Sequence, residues 1–301
     1  MKGGVKINKI KSQHYVPRFY LKNFSKRNGN EFVINCFDKS DFNQFKVNIN
    51  GIGCENYFYE NDDNPSQVME MSLSKYEAKF STVYNKLVST ASLGGFKWKE
   101  KEVLAQFIVI QEIRTREMRE HLRDMVKKVK IRLSTEPLSK KLETELQGIN
   151  TEKGIRSIQL NMLDETLLNN SPLVDMLLSL KWMIYENYTK MTFWISDHPV
   201  NRFNPIDLSP YGNLGLLSRG IEIFFPLTPK LGIAFCDPIE YFHYPEKLGC
   251  IKDNVLFYNT LQVRSSARHI FSIDEDFTIA KQWLNENPDF RNLDRDRTVI
   301  K

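Results

Sequence analysis

The stretch Lys97–Leu133, KWKEKEVLAQFIVIQEIRTREMREHLRDMVKKVKIRL, contains no proline and no glycine. Its apolar side chains recur at helical spacing, at Leu104, Phe107, Ile108, Met118, Leu122, Met125 and Val129. This period places them on one stripe, so the stretch predicts one long helix with an apolar face. Other elements must cover that stripe, and we therefore expect a helical body in the middle of the chain.

Further helical patterns lie on both sides of this stretch. A helix is predicted over Ser66–Thr90, where apolar residues again recur at the helical period. The other predicted helices are Pro17–Phe24, Ile155–Leu168, Pro172–Tyr185, 254–271 and 276–287. Pro17 suits the first turn of a short helix, because proline there loses no helical hydrogen bond.

Strand patterns lie near the two ends of the chain. Glu31–Phe37 and Phe45–Ile49 alternate apolar and polar residues around a turn-rich stretch, and they predict a small hairpin. Apolar runs at Met191–Ser196, Ile221–Phe225 and Leu231–Phe235 are separated by prolines and glycines. These three runs predict a β-rich C-terminal part.

The order of these elements predicts an α+β fold. A small N-terminal β-hairpin unit precedes a helical body with one long helix, and helices close the β-rich C-terminal part. Because strands and helices are segregated along the chain, a parallel α/β sheet is less favoured. We treat residues 1–301 as a single domain, with a candidate subdomain seam near 187–190.

The composition is that of a globular protein. The 301 residues are 41% hydrophobic and 26% charged, which is enough for a large buried core. No apolar run is long enough for a transmembrane helix, and no apolar segment follows the basic N-terminus as in a signal peptide. The four cysteines form no CxxC pair, which favours reduced thiols over a zinc site. We therefore expect a cytoplasmic protein that does not bind a membrane.

Positive charge is concentrated in the predicted long helix. Between Arg114 and Arg132 there are eight basic and three acidic residues, and this local excess equals the net charge of +5 of the whole chain. The segment 114–132 thus predicts a nucleic-acid or nucleotide partner. A solvated helix end is the alternative, because basic side chains also favour a helix C-terminus.

Several short stretches resemble one bacterial family, catalogued as domain of unknown function 4238. They are His14–Phe24 (HYVPRFYLKNF), Tyr57–Glu60 (YFYE), Gln111–Thr115 (QEIRT), Ser196–Val200 (SDHPV), Pro226–Pro229 (PLTP), and Asn259 with Gln262. The sequence departs from the family pattern at Arg116, where we expect a proline. The resemblance implies a domain that covers most of the chain and indicates candidate residues, but it implies no reaction.

Gln111 and Arg114 are polar residues at or beside the apolar stripe of the long helix. Unpaired buried polar groups cost about 1–3 kcal/mol, so both side chains need partners. Arg114 could bind a phosphate, together with Arg18 of the first motif, and Gln111 could take part in catalysis. Alternatively, Arg114 forms a structural pair, for example with Asp197 or Glu77.

Asp197 and His14 are the predicted acid–base residues. Asp197 follows an apolar run, at the end of a predicted strand, where it could act as a base or metal ligand. An Asx-turn leading into Pro199 is the structural alternative. His14 could act as a general base, a metal ligand or a phosphate contact. It could instead cap the first short helix or pack near Tyr20.

A metal-free ribonuclease is a further alternative. Arg114 and Arg116 each precede His121 at a spacing similar to that of the Arg–His pair of some helical HEPN ribonucleases. An arginine-rich helix produces this spacing easily by chance.

We therefore expect a nuclease or another enzyme that acts on phosphodiesters, in a bacterial antiviral defence or toxin role. His14 and Asp197 would activate water, with Glu60 or Glu77 and a divalent ion such as Mg²⁺ as candidate assistants. Two alternatives stay open: a non-catalytic module that binds nucleic acid or a nucleotide, and a scaffold for protein interactions.

Overall fold

The computed structural model describes residues 10–60, 67–133, 144, 147–208 and 212–297. Helices and several sheets are both present, so the predicted α+β class is confirmed. The helices are α1 (Arg18–Leu21), α2 (Val68–Thr90), α3 (Trp98–Ile113), α4 (Arg116–Leu133), α5 (Glu152–Leu167), α6 (Pro172–Ser179), α7 (Lys252–Ser265) and α8 (Thr278–Glu286). No helix among these residues is long and apolar enough to cross a membrane.

The described residues form three sheets, and two of them contain strands from the N-terminal part. The strands there are β1 (Ser12–His14), β2 (Lys26–Asn28), β3 (Glu31–Asp38), β4 (Gln44–Asn48) and β5 (Cys54–Asn56). β1 pairs with β5 in a two-stranded antiparallel sheet, and β3 pairs with β4 as the predicted hairpin. The first helix is also present, as α1 followed by a 3₁₀ turn at Lys22–Phe24.

The C-terminal part supplies the remaining strands. They are β6 (Lys181–Asn187), β7 (Ile195–Ser196), β8 (Asn201–Phe203), β9 (Glu222–Thr228), β10 (Leu231–Cys236), β11 (Lys247–Cys250) and β12 (His269–Ser272). One five-stranded sheet has the order β11-β6-β10-β9-β8. The other has the order β2-β3-β12-β7, with β4 beside β3. The N-terminal hairpin therefore joins C-terminal strands in one sheet.

The predicted single helix over Lys97–Leu133 is divided in two. α3 ends at Ile113 and α4 starts at Arg116, so this part of the prediction is wrong. Gln159 on α5 donates hydrogen bonds to the carbonyls of Ile113 (2.7 Å) and Thr115 (2.9 Å). The Thr115 hydroxyl accepts the backbone N–H of Met118 at 3.3 Å, as a helix N-cap does. The start of α4 is thus capped by the local Thr115, whereas the end of α3 is satisfied by Gln159, a partner that local sequence does not reveal.

Two other predicted helices also change to strand. α6 ends at Ser179 and the chain continues as β6, instead of a helix to Tyr185. β6 lies between β10 and β11 and is largely buried, and such an apolar run cannot be distinguished from a buried helix by periodicity. Similarly, α7 ends at Ser265 and residues 269–272 form β12. Of the strand predicted over Met191–Ser196, only β7 forms.

The main hydrophobic core lies between the helical body and the sheet that contains β9. Tyr20 stacks on Phe225 with ring centroids 4.7 Å apart, and its hydroxyl donates a 2.8 Å hydrogen bond to the Pro226 carbonyl. Phe107 of α3 contacts Phe225 edge-on at 5.8 Å. Buried aromatic pairs of this kind stabilise a core beyond the area that they bury. The core therefore fixes α1 and α3 against the same strand.

Candidate functional site

The end of β1 is held by Gln111 of α3 and by Arg114, which directly follows that helix. Gln111 donates a 3.0 Å hydrogen bond to the Tyr15 carbonyl, and Arg114 donates one to the His14 carbonyl at 2.5 Å. The two donors are nearly one turn apart, so they face neighbouring carbonyls of the same strand end. Two of the predicted site residues, Gln111 and Arg114, therefore converge on the backbone next to the third, His14.

Arg114 is fully buried and fully engaged. Its other hydrogen bonds go to the Glu77 carboxylate (3.0 Å) and the Tyr59 hydroxyl (3.0 Å). Burial alone would lower the pKa of Arg114, but Tyr59 and Glu77 outweigh it and raise the pKa above its usual value. The contacts match the structural alternative, in which Arg114 pairs with Glu77. These contacts hold the charge of Arg114 in a fixed position within the protein. The predicted contact of Arg114 with a phosphate stays a prediction.

Glu70 of α2 is the unusual carboxyl group beside Arg114. Its Oε2 atom is buried and accepts no hydrogen bond from the described residues. Burial raises the pKa of Glu70 to about 7; Arg114 opposes this rise, and Glu77 adds to it. Sequence analysis missed Glu70, since a glutamate in an amphipathic helix carries no local signal.

His14 and Arg18 complete this group. The ring of His14 is partly buried, and its Nε2 lies 3.3 Å from the Ile49 carbonyl. Burial lowers the pKa of His14 to about 4, and the charges of Arg18 and Arg114 act in the same direction. Arg18 is exposed, with one 3.4 Å hydrogen bond to Asn50. We refer to His14, Arg18, Glu70, Glu77 and Arg114 as the acid–base cluster.

Asp197 lies outside this cluster. Its carboxylate accepts three backbone N–H groups, from Ala267 (2.7 Å), Arg268 (2.8 Å) and His269 (2.8 Å). These bonds hold the turn between α7 and β12, so Asp197 is a long-range anchor. It does not form an ion pair with Arg114, whose carboxylate partner is Glu77. The predicted catalytic role of Asp197 gains no support from these contacts and stays a prediction.

A second polar group surrounds the break between α3 and α4. Glu112 binds Arg202 through two hydrogen bonds of 2.7 and 2.8 Å. His198 is buried, and its Nδ1 lies 2.7 Å from the Thr115 hydroxyl. Burial lowers the pKa of His198 to about 4. Glu112, Thr115 and His198 lie within the family-resembling stretches, but none was a candidate site residue, because their contacts join parts of the chain that are far apart in sequence.

His121 belongs with this second group. Burial lowers the pKa of His121, and the charges that act on it include Asp124, Arg202 and Glu112. Arg114 pairs with Glu77, and Arg116 pairs with Glu55 and Glu120. These contacts give no support to the metal-free ribonuclease alternative, which stays a prediction.

Much of the positive charge in 114–132 is neutralised within the fold. Arg114 and Arg119 are buried, and Arg119 donates to Gln159 (2.8 Å) and to the Phe58 carbonyl (2.8 Å). Arg116 and Arg123 each pair with Glu120 at 2.8 Å. These contacts leave the exposed basic side chains of α4 near its C-terminal end.

The described residues contain no group of three or more His, Cys, Asp or Glu side chains that could hold a metal ion. The acid–base cluster, which lies among these residues, therefore offers no metal-ligand set. All four cysteines are free thiols, and three of them are buried. A cavity of about 380 Å³ lies beside the start of α5, near Gly154, and another of about 290 Å³ lies between α2 and α3, near Gln106. Neither of these two cavities is lined by the cluster.

The fold and the site together define an α+β protein with a half-buried acid–base cluster built on a network of buried polar side chains. A family model described as Protein of unknown function (DUF4238) matches residues 12–276 of the chain. The chain therefore belongs to this family. No curated protein and no solved structure shows a significant match to this chain.

Proposed function

We propose that the protein is a hydrolase that cleaves a phosphodiester of nucleic acid or a nucleotide, and that the acid–base cluster is its active site. The observation that carries the proposal is Glu70, a carboxyl group whose buried Oε2 has no hydrogen-bond partner among the described residues. A pKa of about 7 lets this carboxyl accept and return a proton at neutral pH. Buried, unpartnered and titrating groups of this kind are typical of functional sites.

Two titratable groups of the cluster, Glu70 and His14, have pKa values shifted in opposite directions. Glu70 titrates at about 7, whereas His14, at about 4, is neutral at physiological pH. Such a difference assigns different roles to neighbouring groups. Glu70 would take a proton from the attacking water and deliver one to the leaving oxygen as the P–O bond breaks. His14 would stay uncharged and form hydrogen bonds only.

Arg18 is the residue best placed to contact the phosphate. It is exposed at the start of α1, and its charge acts on both His14 and Glu70. A guanidinium can bind two phosphate oxygens at once, which holds the phosphorus beside the base. Arg114 would support the site from behind as a positioning residue, because its described contacts are to the protein.

Nucleic acid remains the proposed partner of the C-terminal end of α4. Lys127 and Lys130 lie there, beyond the ion pairs that neutralise the first turns of the helix. A defence or toxin role in the bacterial cytoplasm would fit such a substrate, and the four free thiols support a reducing compartment.

The test is cleavage of labelled RNA and DNA oligonucleotides by the purified protein with Mg²⁺, Mn²⁺ or EDTA. We expect Glu70→Gln to lower the rate by about 10²–10⁴-fold, as for loss of a general acid or base. Arg18→Gln should lower kcat/KM, because it removes the proposed contact with the substrate phosphate. Glu165→Gln, an exposed change on α5, is the matched control.

The pH profile separates this site from a contaminating activity. The wild-type rate should depend on a group with a pKa near 7, and Glu70→Gln should remove that dependence. Cleavage that is equal in the wild type and in Glu70→Gln would contradict the proposal. Salt-sensitive binding without cleavage, by a stably folded protein, would favour the non-catalytic module instead.

A further inference from the structure

A cavity between α2 and α3 lies away from the acid–base cluster. Its volume is about 290 Å³, near the lower end of the range for small-molecule sites. Its walls are formed by Lys79, Lys99, Glu102, Val103, Gln106 and Asn169. These residues come from two helices and from the turn after α5, so only the folded chain brings them together.

The floor of the cavity carries an unused hydrogen-bond acceptor. Gln106 is 2% exposed, and its side-chain nitrogen donates to the Thr166 carbonyl (2.8 Å) and to Asn169 Oδ1 (2.9 Å). No residue in the described part of the chain donates a hydrogen bond to Gln106 Oε1. The amide is therefore fixed in one orientation, with its oxygen left for a ligand.

Asn169 is held in an unusual conformation at the rim. Its φ of 59° lies in the left-handed region, which asparagine tolerates better than most residues. The bond from Gln106 occupies its Oδ1 atom, and the Asn169 side-chain nitrogen donates to no described residue. This side-chain nitrogen is therefore a free donor in the same lining as Lys79 and Lys99.

The rim of the cavity is positively charged. Lys79 and Lys99 are exposed, and neither forms an ion pair with a described residue. Lys99 also lies in the first turn of α3, where the helix dipole favours an anion. Glu102 is the one acidic side chain among the described residues that line the walls, and its Oε1 already accepts the Trp98 indole N–H at 2.7 Å. The lining thus has charged donors for an anion, at Lys79 and Lys99. It also has acceptors for the hydroxyl groups of a ligand, at Gln106 Oε1 and Glu102.

We propose that this cavity binds a small hydroxylated phosphate monoester. A phosphate monoester carries nearly two negative charges and three acceptor oxygens at neutral pH. Those oxygens match the ammonium groups of Lys79 and Lys99 and the amide nitrogen of Asn169. The hydroxyl groups of the ligand would donate to Gln106 Oε1 and to Glu102. This site is independent of the proposed hydrolase site.

Calorimetric titration with ribose 5-phosphate, ribose and inorganic phosphate tests the proposal. We expect one ribose 5-phosphate to bind per chain, ribose not to bind, and inorganic phosphate to bind more weakly than the ester. The double variant Lys79→Gln/Lys99→Gln should weaken the binding of ribose 5-phosphate by about tenfold or more, since it removes charged hydrogen-bond partners.

Two control variants locate the site. Lys75→Gln removes an exposed lysine of α2 that does not line the cavity, and it should bind as the wild type does. Arg18→Gln should also leave binding unchanged, which separates this cavity from the acid–base cluster. Absence of binding at millimolar ribose 5-phosphate would overturn the proposal. So would equal affinity in the wild type and the double lysine variant, or equal affinity for ribose and its phosphate.

Discussion

Arg114 is buried and donates a 3.0 Å hydrogen bond to the carboxylate of Glu77, whose side chain stays 27% exposed. The pair joins α2 to the end of α3, and the same guanidinium holds the His14 carbonyl of β1. Three elements that are distant in sequence therefore meet at one charged group. Because the guanidinium is buried and the carboxylate is not, loss of Arg114 and loss of Glu77 have different costs.

Arg114→Ala should destabilise the protein by about 3 kcal/mol, since it removes a buried guanidinium that donates hydrogen bonds to Tyr59, Glu77 and the His14 carbonyl. Chemical denaturation measures this loss. Arg116→Ala is the control, because the pairs of Arg116 with Glu55 and Glu120 are more exposed and should cost about 0–1 kcal/mol. Similar losses in the two variants would contradict the buried-pair explanation.

Asp197→Asn should destabilise the fold although it preserves shape. The Oδ2 atom accepts two backbone N–H groups, from Arg268 and His269, and Oδ1 accepts the Ala267 N–H. An asparagine amide has one acceptor oxygen, so at least one of these N–H groups would face an NH₂ donor instead. One lost bond to a charged acceptor predicts a cost of about 1.5–3 kcal/mol in the free energy of unfolding. Asp164→Asn, an exposed change on α5, should change little. Faster amide hydrogen exchange confined to 266–272 in Asp197→Asn would locate the effect.

Gln159→Met should destabilise the break between α3 and α4. The change removes the donors to the Ile113 and Thr115 carbonyls and the acceptor of Arg119 Nε. Three buried polar groups would lose their partners, at a combined cost of about 3 kcal/mol or more. Glu165→Met on the exposed side of the same helix is the control for thermal unfolding. An unchanged melting temperature in Gln159→Met would show that the break does not depend on this side chain.

Protonation of His198 should destabilise the protein in acid. The folded pKa is about 4 and the ordinary value is 6.5, so the unfolded chain takes up a proton first as the pH falls. The neutral, buried His198 contributes to the free energy of unfolding. This contribution is fully present above pH 6.5 and is lost between pH 6.5 and about 4, at roughly 1.4 kcal/mol per pH unit. His198→Gln should reduce that slope of stability against pH, whereas His243→Gln, an exposed change, should keep it.

Glu70 should have the opposite pH dependence. Its folded pKa of about 7 lies above the ordinary 4.5, so the ionised carboxylate costs stability above pH 7. After allowance for the exposed part of the side chain, Glu70→Gln should stabilise the protein at about pH 8 by about 1–2 kcal/mol. The gain should disappear as the pH falls towards 4.5. A variant that is less stable than the wild type at every pH would refute this explanation of the raised pKa.

The family-resembling stretches illustrate how far the sequence reaches. The Asn259 side chain accepts the Trp194 N–H at 2.8 Å, and Gln262 accepts the Ser196 hydroxyl at 2.7 Å. Glu60, in another stretch, binds the Gln13 amide at 3.2 Å. Sequence alone selected most of these positions as noteworthy. The contacts of these side chains connect secondary-structure elements, which is a structural role. Residue type alone does not distinguish this role from a catalytic one.

Sequence by itself determined the α+β class, the first hairpin, the short first helix and the long α2, because periodicity and turn residues act locally. Only tertiary structure decided the break at Arg114–Thr115, the change from helix to strand at Lys181 and the pairing of β3 with β12. It also decided which charges are buried. Hydrogen-bond partners such as Gln159 and Asp197 lie far along the chain, and the pKa of Glu70 depends on burial that only the packed helices create.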